Sequence, residues 1–248
     1  MRVGVIVFPG SCDETDALDA LNRVDGLEAG FLWHGERDLR GADAIVIPGG
    51  FSYGDYLRPG AIARFSPVME AISRFAGDGG PVLGICNGFQ VLAEAGLVPG
   101  ALLRNASLRF AGREVAIAPE RLDTRFTTAL GSRGALRMPV AHGEGCYFAD
   151  EITLDALERD GQVLFRYVNA DGNAAAPGDP ANPNGSLRAI AGVLNKAGNV
   201  AGLMPHPERA AEAILGSDDG MGIVRSLVDS AARAGAASRG APVEVGAR

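Results

Sequence analysis

The sequence predicts an α/β fold built on a mostly parallel sheet, and three features carry that prediction. A β-branched run over residues 2–9 gives way to apolar positions Ala17, Leu18, Leu21 and Val24 at helical spacing, which marks a strand followed by an amphipathic helix. Residues 44–48 (AIVIP) are short and wholly apolar, as a strand buried on both faces must be. Residues 81–85 (PVLGI) run straight into a helical pattern over 87–95, closed by Gly96, so a second strand-turn-helix unit follows. Strands alternating with helices in this way pair in parallel.

In chain order, the first strand ends at Pro9-Gly10, and the acidic stretch 13–24 is the first helix. Residues 27–34 form the second strand, 44–48 the third, and the strand into Cys86 with its following helix comes next. Beyond Val115 regular helical spacing fades, and 115–118, 136–141, 163–168, 189–194 and 200–204 all read as strands. Between two of them, residues 171–186 are dense in Gly, Pro and Asn and form a turn-rich loop. A last helical segment covers 220–234. Residues 1–235 are expected to be one domain and the weakly patterned 236–248 a disordered tail.

A chain of 248 residues, 47% hydrophobic, is long enough to bury one sizeable core. Its net charge is −7 and its arginines are scattered singly, so the basic footprint of a nucleic-acid binder is missing. The only lysine, Lys196, sits in LNKAG and cannot serve a GxxxxGK[ST] phosphate loop. Three widely spaced cysteines, Cys12, Cys86 and Cys146, make neither a disulfide framework nor a CxxC pair. No run approaches the roughly 18 apolar residues of a membrane span, and the N-terminus has no basic leader. These features point to a cytoplasmic protein whose partners are small molecules or proteins.

The chemistry concentrates at Gly84-Ile85-Cys86-Asn87-Gly88, the thiol counterpart of the GxSxG nucleophile elbow. Side chains at the two glycines would collide with the adjoining strand and helix in so sharp a turn. The turn lifts the sulfur to a helix N-terminus, whose dipole favours the thiolate. The backbone N–H of Asn87 would face a developing oxyanion. Cys12 and Cys146 lack such a setting and are expected to be buried small hydrophobes.

A cysteine hydrolase needs a base oriented by a third group. His206 lies between Pro205 and Pro207, and the following proline keeps it extended, so Glu208 two residues on can face its ring. His34, at a strand end, is expected to be a boundary residue. Pro48-Gly49-Gly50 after the third strand is either an ordinary turn or a place where backbone approaches a ligand closely.

With these residues in hand, the sequence resembles the triad-type (class I) glutamine amidotransferases, whose GxCxGxQ pattern is present as GICNGFQ from Gly84 to Gln90 and whose His-Pro-Glu is His206 to Glu208. The blocks PGGFSYGDYLRPGAIA, RNASLRF, PVAHGEG and NPNGS make it similar, within that group, to the subunits that serve purine biosynthesis. The resemblance implies a three-layer, flavodoxin-like α/β sandwich with catalytic Cys86, His206 and Glu208. It implies an oxyanion and substrate-binding set of Gly49, Gly50, Phe51, Asn87 and Gln90, with Asn105, Ser107 and Phe110 near the glutamine pocket. Asp55 and Tyr56 are assigned to a partner interface, while His142 and Glu144 match the pattern without an assigned role. The implied activity is hydrolysis of L-glutamine to glutamate, with ammonia passed to a large synthetase subunit that carries ATP and magnesium. A small accessory subunit completes the complex, and this chain itself needs neither cofactor nor metal. Two other readings remain open at this point: a related cysteine hydrolase or peptidase, and a non-catalytic docking or thiol-sensing subunit.

Overall fold

The structure, a computed structural model, describes residues 1–132 and 134–239, with side chains through 233. Residues 240–248 of the expected tail lie outside the described residues, whereas 236–239 continue the last helix. Eleven strands and five α-helices are formed among the described residues. In chain order the first half contains β1 (Arg2–Val7), α1 (Glu14–Asn22), β2 (Glu28–Trp33), β3 (Ala44–Ile47), α2 (Pro67–Gly77), β4 (Val82–Ile85) and α3 (Asn87–Glu94). The second contains β5 (Ala101–Leu103), β6 (Ala111–Pro119), β7 (Leu136–His142), β8 (Cys146–Phe148), α4 (Glu151–Arg159), β9 (Val163–Tyr167), β10 (Ile190–Leu194), β11 (Val200–Leu203) and α5 (Met221–Arg239).

Nine strands make one mixed, mostly parallel sheet in the order β2-β1-β3-β4-β11-β10-β9-β6-β7. The pairings from β2 to β11 are parallel and those from β11 to β7 antiparallel. Every residue of β3, β4, β10 and β11 is buried. Because successive strand side chains alternate faces, such strands must be covered on both sides. Helices supply the cover: α1 packs on β1 and β2, α3 on β3, β4 and β11, and α5 against α1 and β3. β5 and β8 pair only with each other, as a small separate ribbon.

Two helices go beyond the sequence expectation. α2 opens at Pro67, which suits the first helical position, and buries Val68, Met69, Ala71, Ile72 and Ala76. α4 lies in the half expected to be strands alone. Asp150 caps it by accepting a bond from the Thr153 N–H at 2.7 Å, but it buries only Leu154 and Leu157, so its apolar stripe is too thin to stand out.

The topology brings distant residues to one sheet edge. β1, β3, β4 and β11 are parallel neighbours in register, with Val5 opposite Val46, Ile47 opposite Gly84, and Ile85 opposite Leu203. Their C-terminal ends therefore emerge side by side, where open α/β sheets place their ligand sites. The segments leaving that edge are 8–13, 48–51, 86–90 and 204–209.

Candidate active site

Cys86 sits between β4 and α3 with φ +48° and ψ −103° and is 4% exposed. A non-glycine residue in such a conformation costs roughly 1–3 kcal/mol and persists only where its surroundings enforce it. The glycines two residues away show how they do so. A Cβ on Gly84 would stand 2.7 Å from the Gly88 carbonyl, and one on Gly88 would stand 1.9 Å from the Ile47 oxygen. α3 can approach β3 and β4 only because both are bare.

His206 and Glu208 leave β11 beside the cysteine. The imidazole is 1% exposed, and its Nδ1 lies 2.6 Å from Glu208 Oε1. The His206 backbone N–H donates to the Pro139 carbonyl at 2.9 Å, which fixes the segment against β7. Nε2, on the other side of the ring, is buried and has no hydrogen-bond partner among the described residues. Burial disfavours the charged ring, but the Glu208 carboxylate and the Cys86 sulfur beside it outweigh that and hold its pKa well above the ordinary imidazole value. The Cys86 thiol donates to the Ala141 carbonyl at 3.7 Å.

The turn after β3 reaches this centre through Gly49, where a Cβ would meet Asp13 Oδ2 at 2.1 Å and His206 Cε1 at 2.9 Å. Gly50, at φ +142°, would press on the Cys12 nitrogen at 2.6 Å. The Phe51 N–H donates to the Gly10 carbonyl at 2.8 Å, so the turn's candidate oxyanion donors are the two glycine N–H groups. Asn87 opens α3, and a first-turn N–H has no intrahelical acceptor. Its side-chain oxygen accepts from the Ser52 N–H at 3.1 Å and its amide donates to Gln90 Oε1 at 2.9 Å, tying the turn to the elbow. The Gln90 amide donates to the Glu144 carbonyl at 2.6 Å. Asp55 faces the same group, where burial and then Glu144 push its pKa up to about 6.

The remaining expected residues divide. Asn105 is fully buried: its amide donates to the His142 and Arg109 carbonyls, and its oxygen lies 3.2 Å from His142 Nδ1. His142 is held in turn by Asn184 of the NPNGS block, at 3.4 Å from Nε2. Burial and then the nearby His206 lower its pKa to about 4, so it is a neutral member of a polar network. Ser107 and Phe110 are exposed on the loop before β6. Cys12 is exposed and Cys146 half-buried, which corrects the expectation that both are buried hydrophobes. Cys12 lies in the segment that leaves the sheet edge after β1, where its thiol donates to the Gly10 carbonyl at 3.5 Å instead of entering the core. His34 is half-buried at the end of β2, with Nδ1 2.8 Å from the Tyr53 hydroxyl.

Sequence reading missed Asp13 and Arg209. Asp13 is buried at the start of α1, and its Oδ2 lies 3.5 Å from His206 Nδ1, while Arg209 bonds its Oδ1 and also Asp16 Oδ2 at 3.0 Å. Asp13, His206 and Glu208 could each offer one atom to a metal within 4.8 Å. Glu208 already occupies Nδ1 and Arg209 already neutralises Asp13, so the group fits a hydrogen-bonded base better than a cation site.

A sharp strand-to-helix cysteine beside a carboxylate-bound imidazole, on the edge of an α/β sandwich, defines a triad-type amidotransferase. Residues 1–219 match the CobB/CobQ-like glutamine amidotransferase domain. The chain is 56% identical over 228 residues to the phosphoribosylformylglycinamidine synthase subunit PurQ of Salinibacter ruber, covering 92% of this chain and 96% of the relative. It is 55% identical over 240 residues to that of Chlorobaculum parvum, with 97% and 94% covered. A chain in the solved structure of PurLQS from Thermotoga maritima is 41% identical with a TM-score of 0.79, covering 92% and 97%. This chain belongs to the PurQ family of glutamine amidotransferase subunits.

Proposed function

We propose that the chain hydrolyses glutamine at Cys86 and delivers the ammonia to a synthetase that converts formylglycinamide ribonucleotide to formylglycinamidine ribonucleotide in purine biosynthesis. The observation that carries this reading is Cys86 on its glycine-enforced elbow next to His206, whose far nitrogen is bonded to Glu208. The thiol gives its proton to His206 Nε2, and sulfur attacks the side-chain amide carbon. The N–H groups of Asn87 and of the Gly49-Gly50 turn hold the oxyanion. His206 then protonates the leaving nitrogen as the C–N bond breaks, and ammonia departs from a glutamyl thioester. Water deprotonated by His206 hydrolyses the thioester to glutamate and restores the thiol, while Glu208 keeps the imidazole in its productive tautomer. By likeness to the family, Gln90 is assigned to contact the substrate glutamine, with Asn105, Ser107 and Phe110 assigned near its pocket.

The Thermotoga maritima relative belongs to an assembly named PurLQS. By the same likeness we assign this chain a large synthetase partner and a small accessory subunit, with ATP and magnesium on the synthetase. No helix among the described residues is long and apolar enough to cross a membrane, and three free cysteines suit a reducing cytoplasm. The test is Cys86→Ser in the assembled enzyme. Glutamine-dependent synthesis should disappear while synthesis from added ammonium salt continues; loss of both would argue against a separate ammonia-producing site.

A further inference from the structure

Glu208 is not the only carboxylate on the base. Asp13 Oδ2 lies 3.5 Å from the same Nδ1, from a side chain 6% exposed that belongs to the other end of the chain. Its second oxygen is bonded by Arg209, the residue next to Glu208, and Arg209 is anchored again on Asp16 of α1. Below the carboxylate, Gly49 leaves no room for a side chain, since a Cβ there would overlap Oδ2. The backbone repeats the link, because the N–H groups of Cys12 and Asp13 both donate to the Gly49 carbonyl at 3.3 Å. One residue thus touches the base, its anchoring arginine and the candidate oxyanion turn.

We propose that Asp13 is a positioning residue that acts through His206: with Glu208 it forms a two-carboxylate clamp on Nδ1, and Arg209 sets the orientation of that clamp. The inference deepens the functional reading and rests on His206 being the base. A single in-plane bond fixes the tautomer but leaves the ring free to rock about the bond. A second anion off that axis restrains the rocking and stabilises the imidazolium formed when Cys86 loses its proton. Arg209 keeps Asp13 from competing outright for the Nδ1 proton, because a carboxylate bonded to guanidinium is a weaker acceptor towards a second donor. The groups that bear on the imidazole charge are Glu208 and Arg209 on its own segment, Asp13 before α1, Cys86 on the elbow and His142 at the end of β7.

The test is histidine titration by NMR on the full chain in a Cys86→Ser background, where three histidines keep the spectrum simple and the His34 signal reports an intact fold. Removing the Asp13 charge in Asp13→Asn should lower the His206 midpoint by roughly one pH unit, the effect of losing an opposite charge at such a distance. In the assembled enzyme with Cys86 present, the same change should lower kcat with glutamine about tenfold, leave KM essentially unchanged and move the acid limb of the rate profile to lower pH. Arg209→Met serves if Asp13→Asn does not fold; it leaves the carboxylate unneutralised, so the His206 midpoint should rise. An unmoved midpoint in the folded variant overturns the proposal. A wild-type assembly without glutaminase activity would instead end the functional reading on which it rests.

Discussion

At the scale of single residues the site separates two histidines by environment alone. His206 and His142 are both buried, yet carboxylates raise the first while an uncharged amide setting leaves burial to lower the second to about 4. For His142 this couples stability to pH. Between about 4 and the unfolded value of 6.5 the unfolded chain binds a proton that the folded chain refuses, so stability falls as pH drops through that window, by about 3 kcal/mol at most. Urea titrations of wild type and His142→Asn at pH 5 and pH 7 should show a smaller loss in the variant; equal losses would mean that other groups set the acid limb. Within the base pair, Glu208→Gln should keep roughly 10 to 100 times more of the glutamine-dependent kcat than His206→Ala, because one misorients the base and the other deletes it. Equal losses would show that Glu208 does more than orient. Asp13 was invisible in the sequence because nothing local distinguishes an aspartate before a helix from a helix cap; it stands 193 positions before His206.

At the scale of elements, the elbow is a steric device whose parts are all in the sequence. A methyl on Gly88 would stand 1.9 Å from a backbone oxygen of β3, which no rotamer change can relieve. Gly88→Ala should therefore cost at least the upper part of the usual overpacking range, about 3 kcal/mol, and abolish activity. Gly77, the last residue of α2, has nothing within 4 Å of its Cβ position; Gly77→Ala should be neutral or stabilising by up to about 1 kcal/mol. Chemical denaturation of the pair measures both, and similar midpoints would contradict the steric reading of the elbow. The strands with continuous apolar runs were legible for the same reason that they are central. α4 was not, since two buried leucines on a surface helix give too weak a period to register.

At the scale of the whole molecule, an apolar surface adjoins the candidate oxyanion turn: Phe51, Tyr56, Leu57 and Phe65 are exposed, the middle two at 74% and 86%. Tyr53, Asp55 and Leu57 in the same loop hold positive φ, a strained conformation that a docking partner could reset. The isolated chain should then hydrolyse glutamine slowly, and the assembled synthetase with its substrate and nucleotide should raise turnover by about 10²–10³, the worth of one aligned oxyanion donor. A steady-state glutaminase assay with and without the partners decides it, and equal turnover rejects the idea. The sequence by itself determined the glycine-flanked elbow at Cys86, the pairing of His206 with Glu208, and the parallel first half of the sheet, because each is written in short-range spacing: glycines two residues from a cysteine, a proline after a histidine, apolar runs between turns. Only the tertiary structure decided that β11 enters the sheet beside β4, which is what sets His206 against Cys86, and that α1 begins beneath the base. Strand order is chosen by the burial of whole faces, a sum over the entire core that no local window contains.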